Sequence, residues 1–216
     1  MSLTLYNYAL SGNCYKLRLM MKLLGLAYET VPINFFPEKE HKSAAFLAIN
    51  PMGQVPVLDD GEFRLRDAQA ILVYLASRYD PDKSWYPDDA RTRGRITLWL
   101  SVAEDLTRSS SAARLHDGFG YDSFDIQQCR ADAYRLFAMM EEHLADGEMD
   151  GARWLAAPHA TIADIACFPY VALAPEGGMS LDHYPALRRW ISAVKSIKGF
   201  TGMSGILELG IDGPTA

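Results

Sequence analysis

Residues 53–58 read Gly53-Gln54-Val55-Pro56-Val57-Leu58, which places a proline inside what otherwise reads as a strand. Val55, Val57 and Leu58 favour extended backbone, Asp60-Gly61 predicts a hairpin turn, and Phe63 and Leu65 predict the returning strand. Proline has no N–H to give to a central ladder. The segment is therefore either an edge strand, or a turn with a cis bond before Pro56 after which the strand begins. Either arrangement leaves the Val55 N–H and C=O unused by a neighbouring strand, and such an edge can take up an extended peptide by added pairing.

The sequence around that hairpin predicts a small mixed sheet. Leu3 to Tyr8 alternates as a strand, and Leu17, Met20, Met21 and Leu24 mark one face of a helix that Gly25 ends. Tyr28 to Ile33 predicts a second strand with Val31 and Ile33 on one face, Pro37 to His41 a loop, and Ala44 to Ile49 a short helix stopped at Asn50-Pro51. After the hairpin, Ile71, Tyr74, Leu75 and Arg78 continue a helix begun near Asp67. The order β-α-β, loop, β-β-α requires only one right-handed crossover. It assigns residues 1–80 to an α/β, thioredoxin-like unit and the turn-rich stretch 81–87 (Trp85-Tyr86-Pro87 included) to a linker. No strand pattern follows. Residues 88–216 predict an all-helical bundle: a long helix from Asp88 to about His116, another from about Ile126 to Leu144, an almost wholly apolar one from Thr161 through Val171, and one marked by Leu187, Trp190, Ile191 and Val194.

Composition narrows the function. The net charge is −6, with eight Lys/Arg against eight Asp/Glu in residues 1–80 and the acidic surplus beyond them, so a nucleic-acid partner is not expected. No apolar run reaches the ~18–20 residues of a membrane span, and no signal peptide is evident, so neither a membrane partner nor export is expected. Cys14, Cys129 and Cys167 are odd in number and widely spaced. They match neither a disulfide framework nor a zinc site, so a reducing, cytoplasmic setting without a metal is expected.

Four features carry candidate chemistry. Ser11 stands between the first strand and the first helix, where it either caps the helix or donates to an anion such as a thiolate. Lowering a thiol pKa by about two takes about 2.7 kcal/mol, and one charge-assisted hydrogen bond gives ~1.5–3 kcal/mol. Cys14, one turn on, is either a packed small residue or a low-pKa nucleophile. Asp67-Ala68 opens a helix; Asp67 caps it or pairs with an ammonium, and the N–H groups there can hold a carboxylate. His41-Lys42 is solvated surface or a holder of a second carboxylate. A peptide with a carboxylate at each end, an amine at one and a thiol in the middle fits all of them. By contrast Thr161-x-x-Asp164 is a capping box with Asp in place of Glu, and belongs to folding.

Over essentially its full length the chain resembles the cytosolic glutathione transferases. The resemblance rests on an ordered series: Ser11 to Lys16, Asn50-Pro51-x-Gly53-Gln54-Val55-Pro56-Val57-Leu58, Asp67-x-Gln69-Ala70-Ile71, Trp85-Tyr86-Pro87 and Thr161-Ile162-Ala163-Asp164. It implies a glutathione-binding first domain, a helical second domain that supplies most of the electrophile pocket, glutathione as co-substrate, and a homodimer. Ser11 would donate to the glutathione thiolate, as in serine-type theta- and phi-like classes. Val55, before a cis Pro56, would pair with the cysteinyl backbone. Asp67 and the Ala68 N–H would hold the γ-glutamyl end, with His41, Lys42 and Gln54 at the glycyl carboxylate. The electrophile pocket is expected around Trp99, Ser109 to Ser111 (Ser110 between them), Arg114 and His116, with the tail near Ile206 to Leu209. Two departures stand out. Ala68 replaces the usual serine, and Gly12-Asn13 replaces the later positions of the Ser-Ser-Cys motif of zeta-type isomerases. The leading expectation is a transferase that adds the thiolate to a small apolar electrophile. The alternatives are thiol exchange or peroxide reduction through Cys14, and a non-catalytic module of the same fold.

Overall fold

The computed structural model describes residues 2–206. The chain runs β1 (Leu3–Asn7), α1 (Gly12–Leu23), β2 (Tyr28–Pro32), a 3-10 turn (Glu40–Lys42), α2 (Ala44–Ile49), β3 (Val57–Asp60), β4 (Phe63–Arg66) and α3 (Ala68–Tyr79). It continues as α4 (Ala90–Arg108), α5 (Ser110–Phe119), α6 (Ile126–Met149), α7 (Ile162–Ala172), a second 3-10 turn (Ala174–Gly177) and α8 (Pro185–Lys195).

The four strands are ordered β2-β1-β3-β4, with β1 parallel to β2 and antiparallel to β3, and β3 antiparallel to β4. Adjacent β3 residues point to opposite faces, as the pleat requires. Leu58 joins the large core under α1 and α3, whereas Val57 joins Ile33 and Phe46 in a small core under α2. β2 is an edge strand, which is why Pro32 is tolerated there and why Val31 is exposed. That exposure departs from the face expected for Val31, whereas Ile33, just past the strand, is buried.

The proline question has a definite outcome. The Val55–Pro56 peptide is cis, and β3 starts at Val57 with partners on both sides. The edge-strand alternative is therefore excluded: the chain turns at Pro56 and enters an interior strand one residue later.

The thioredoxin-like unit packs through α1 and α3 against α7, the centre of the helical unit. Every α7 residue from Ile162 to Val171 is buried, because α7 meets helices on several sides. The 81–87 stretch lies between α3 and α4 and is pinned at both ends. The Asp80 carboxylate accepts the Trp85 N–H at 2.8 Å, and the Trp85 C=O accepts the Ile162 N–H at 3.0 Å.

The expected single helix from Asp88 to His116 is two helices broken at Ser109. The Ser109 hydroxyl donates back to the Asp105 C=O at 2.6 Å, the kind of local bond by which serine bends a helix. The bend aims α5 at the second 3-10 turn, where the backbones nearly touch: a Cβ on Gly177 would lie 2.9 Å from the Arg114 nitrogen. Trp99, expected in a pocket, belongs instead to the core. It is 3% exposed, with its ring 4.8 Å from that of His143.

Candidate functional site

The sheet register brings the first-domain candidates to one end of the sheet. Tyr6 pairs with Val57, and Val57 with Arg66. Beyond that row lie Tyr8 and Ser11 after β1, Val55 before β3, and Asp67 after β4. The 3-10 turn with His41 and Lys42 closes the same end. Gly53, at φ +57, passes so near that a Cβ would sit 2.8 Å from the His41 C=O and 2.9 Å from the Lys42 Nζ. Only glycine suits that backbone and that approach. Asn50 braces the loop, donating from its side chain to the Gln54 C=O at 2.7 Å. Gln54 itself is exposed and Val55 half-buried.

Ser11 is the N-cap of α1, with its Oγ accepting the Cys14 N–H at 3.2 Å. A hydroxyl has two acceptor lone pairs and one proton. The cap bond uses a lone pair; the proton goes to the Cys14 sulfur, a weak acceptor, and can turn from it to an anion. Capping and donation to an anion are therefore compatible roles of one hydroxyl, not rival ones.

Cys14 is fully buried and accepts the Tyr8 N–H at 3.4 Å. Burial pushes its thiol up, and the hydrogen bonds from Ser11 and Tyr8 oppose that only partly. These are the surroundings of a packed thiol, not of an exposed nucleophile.

Asp67 has φ 77 and ψ 125, a strained backbone for a residue with a side chain, and its carboxylate accepts the Ala70 N–H at 2.9 Å. It is exposed, with a carboxylate oxygen still open. Ala68 is buried behind it. Next to them, Gln69 donates to Glu104 of α4 at 3.2 Å.

His41 departs from the solvated cationic pair. It is 5% exposed and stacks on Phe35 with centroids 3.9 Å apart. Burial pushes its imidazole down, with Lys42 and Lys39 adding to the effect. Lys42 remains an exposed ammonium, donating to the Met52 C=O at 3.3 Å.

The residues expected to form the electrophile pocket are engaged within the protein. Trp99 is core. Ser110 is buried and donates to the Tyr170 C=O at 2.5 Å. His116 turns to Asp117, 2.8 Å away. Arg114 does reach the site, but from below. It donates to the Leu10 C=O at 2.6 Å and to Glu176 at 2.5 Å, while its guanidinium lies over the Phe119 ring. It holds the residue before Ser11 and brings positive charge to the turn. Of the tail, Ile206 is buried and bridges to Met203, and residues 207–209 lie outside the described residues.

The wall beside Ser11 is aromatic, and sequence reasoning missed it. Tyr8 stacks on Phe35 at 5.5 Å and meets Phe119 at 6.5 Å. Phe36 meets Phe119 at 5.7 Å and Tyr121 at 5.8 Å. The Tyr121 hydroxyl is buried without a hydrogen-bond partner. Phe35, Phe36, Phe119 and Tyr121 sit in or beside loops, where no periodicity marks them; aromatic residues crowded into polar connections were the available signal.

Among the described residues no group of three His, Cys, Asp or Glu side chains is placed to hold a metal ion, and no helix is long and apolar enough to cross a membrane.

Residues 5–83 match the family model for the glutathione S-transferase N-terminal domain, and residues 117–197 the one for the C-terminal domain. The chain is 28% identical over 204 residues to glutathione S-transferase theta-1 of Rattus norvegicus, covering 92% of this chain and 85% of that protein. It is 31% identical over 193 residues to maleylacetoacetate isomerase of Pseudomonas aeruginosa, covering 86% and 87%. A crystal structure of a glutathione S-transferase from Pseudomonas fluorescens superimposes with a TM-score of 0.84 at 29% identity, covering 94% of this chain and 99% of that one.

Proposed function

The chain belongs to the glutathione S-transferase family, and on that footing we propose that it ionises glutathione at Ser11 and adds the thiolate to a small, flat, apolar electrophile. The observation that carries this reading is the state of the Ser11 hydroxyl. Its lone pair is engaged by the Cys14 N–H, which fixes the oxygen, and its proton is held only by the weakly accepting Cys14 sulfur, from which it can turn to an anion at the sheet end where Val55 leaves an unpaired edge.

Glutathione would lie along Val55, its cysteinyl backbone pairing with the Val55 N–H and C=O. Its γ-glutamyl end would meet Asp67 and the Ala68 N–H, and its glycyl carboxylate Lys42, with His41 and Gln54 beside it. The Ser11 hydroxyl, the first turn of α1 and the Arg114 guanidinium all favour negative charge on the sulfur. The thiol proton leaves to solvent, the sulfur lone pair forms a bond to the electrophilic carbon, and the electron pair of the bond broken there departs with the leaving group, as halide from an aryl halide. The enzyme's part is to stabilise the anion and hold the two reactants together. The aromatic wall of Tyr8, Phe35, Phe36, Phe119 and Tyr121 replaces the expected Trp99 pocket as the surface for the electrophile.

Two observations weigh on the alternatives. Burial of Cys14 disfavours thiol exchange through that residue. An isomerase of the zeta type would need a side chain at position 12, where a Cβ would stand 2.6 Å from the Tyr170 ring. Met52, Phe63 and Leu98 are about half exposed on the loop before Pro56, on β4 and on α4, apolar surface that supports pairing of two chains. Three free cysteines fit a reducing, cytoplasmic setting.

The test is conjugation of glutathione to an aryl halide by wild type, Ser11→Ala and Cys14→Ala. Activity lost only with Ser11 supports the reading. Activity lost only with Cys14, or no binding of glutathione at millimolar concentration, refutes it.

A further inference from the structure

An N-cap side chain can accept from the second or the third amide of its helix. In α1 those amides belong to Asn13 and Cys14. Ser11 takes Cys14, because the Asn13 N–H is already donated, at 3.1 Å, to the phenol oxygen of Tyr170 on α7. The residue between, Gly12, lies against the same ring, with no room for a Cβ. The phenol itself is fixed from all sides. Tyr170 is 4% exposed, its oxygen meets the Ser111 hydroxyl, its C=O accepts from Ser110 at 2.5 Å, and the Lys16 ammonium lies over its ring at 5.2 Å.

We propose that Tyr170 is a positioning residue for Ser11: by occupying the Asn13 amide it confines the serine oxygen to the Cys14 amide, and so keeps the hydroxyl proton aimed at the bound sulfur. Without the phenol oxygen the Asn13 N–H has no partner and draws the serine oxygen toward itself, turning the hydroxyl. A residue of the helical unit thereby sets the acidity of a thiol held by the thioredoxin-like unit. The inference rests on the Ser11 reading.

The test is the pH profile of kcat/KM for glutathione in wild type, Ser11→Ala, Tyr170→Phe and the double variant, with Tm measured for each. Tyr170→Phe should raise the apparent pKa of the profile and lower kcat/KM at neutral pH by about five- to tenfold, the worth of one misdirected hydrogen bond. In the Ser11→Ala background it should change neither. Gly12→Ala, which pushes the ring from the other side, should raise the same pKa and keeps the question answerable if Tyr170→Phe folds poorly. Thr161→Ala, a lost hydroxyl on the same helix, should lower Tm and leave the profile in place. The inference is overturned if Tyr170→Phe behaves as Thr161→Ala does, or if its effect multiplies with that of Ser11→Ala. If Ser11→Ala moves the profile and Tyr170→Phe does not, only the role of Tyr170 falls. If Ser11→Ala leaves the profile unmoved, the Ser11 reading falls and takes this inference with it.

Discussion

The starts of α7 and α1 are each capped by a hydroxyl residue, and they differ in what they leave unfinished. At α7 the Thr161 cap is fully buried and reciprocated. Asp164 accepts the Thr161 N–H at 2.9 Å, the Leu155 N–H at 3.1 Å and the Trp190 indole N–H at 2.9 Å. At α1 the Ser11 cap is half-buried, accepts one amide, and has Cys14 where a capping box would have an acid. The first start satisfies its polar groups within the chain. The second gives its proton only to the weakly accepting Cys14 sulfur, at the end of the sheet. The same residue chemistry serves folding where it is enclosed and complete and, on the proposed reading, binding where it is open.

The widest separation between the two should come from Asp164→Ala. It strands three buried donors, each worth about 1–3 kcal/mol, so a loss of at least about 3 kcal/mol is expected in chemical denaturation. An Asp164→Ala chain of wild-type stability would erase the distinction from the folding side.

Lys16, on α1 between the two starts, comes next. Its ammonium is buried without a hydrogen-bond partner; the Tyr170 ring and Cys167 of α7, Glu104 of α4 and Asp67 before α3 surround it. Burial pushes it down to about 8. An unfolded lysine titrates near about 10.4. Between those values the unfolded chain binds more protons, so stability rises as pH climbs from about 8 to about 10.4. Lys16→Met should abolish that rise and stabilise the protein at neutral pH by on the order of 2–3 kcal/mol. Urea melts across this pH range check the sign.

Ser11→Ala should show the reverse pattern to Asp164→Ala. The charge-assisted bond it removes is worth about 1.5–3 kcal/mol, so kcat/KM should drop about 10- to 100-fold. Stability should change by only about 0.5–1 kcal/mol, as for an ordinary partly exposed cap. The smallest effect is expected at Ala68→Ser, which adds a hydroxyl at the γ-glutamyl end and should tighten glutathione by about 1 kcal/mol. Calorimetric titration showing no gain would remove position 68 from the site.

Much of this was legible in the sequence, for identifiable reasons. Period-two and period-3.6 patterns placed the sheet, α1, α3, α6 and α7, and the Thr161-x-x-Asp164 spacing gave the box. Pro56 narrowed its strand to two arrangements but could not choose between them, because an edge and a cis turn both excuse the missing N–H. The break at Ser109 was hidden, since serine is tolerated inside helices and the bend depends on what α5 packs against. Trp99 misled for the usual reason that a large aromatic on a helix face is core more often than pocket. Tyr170 was invisible because α7 is apolar all round, and only the packing shows which of its residues touches the Ser11 turn.

The most direct test of the central claim is titration of the glutathione thiol on the protein, followed by the ultraviolet absorbance of the thiolate, in wild type and Ser11→Ala. The account predicts that wild type makes the bound thiol roughly a hundredfold more acidic than free glutathione, and that Ser11→Ala returns most of that change. An equally acidic thiol on both proteins would contradict it.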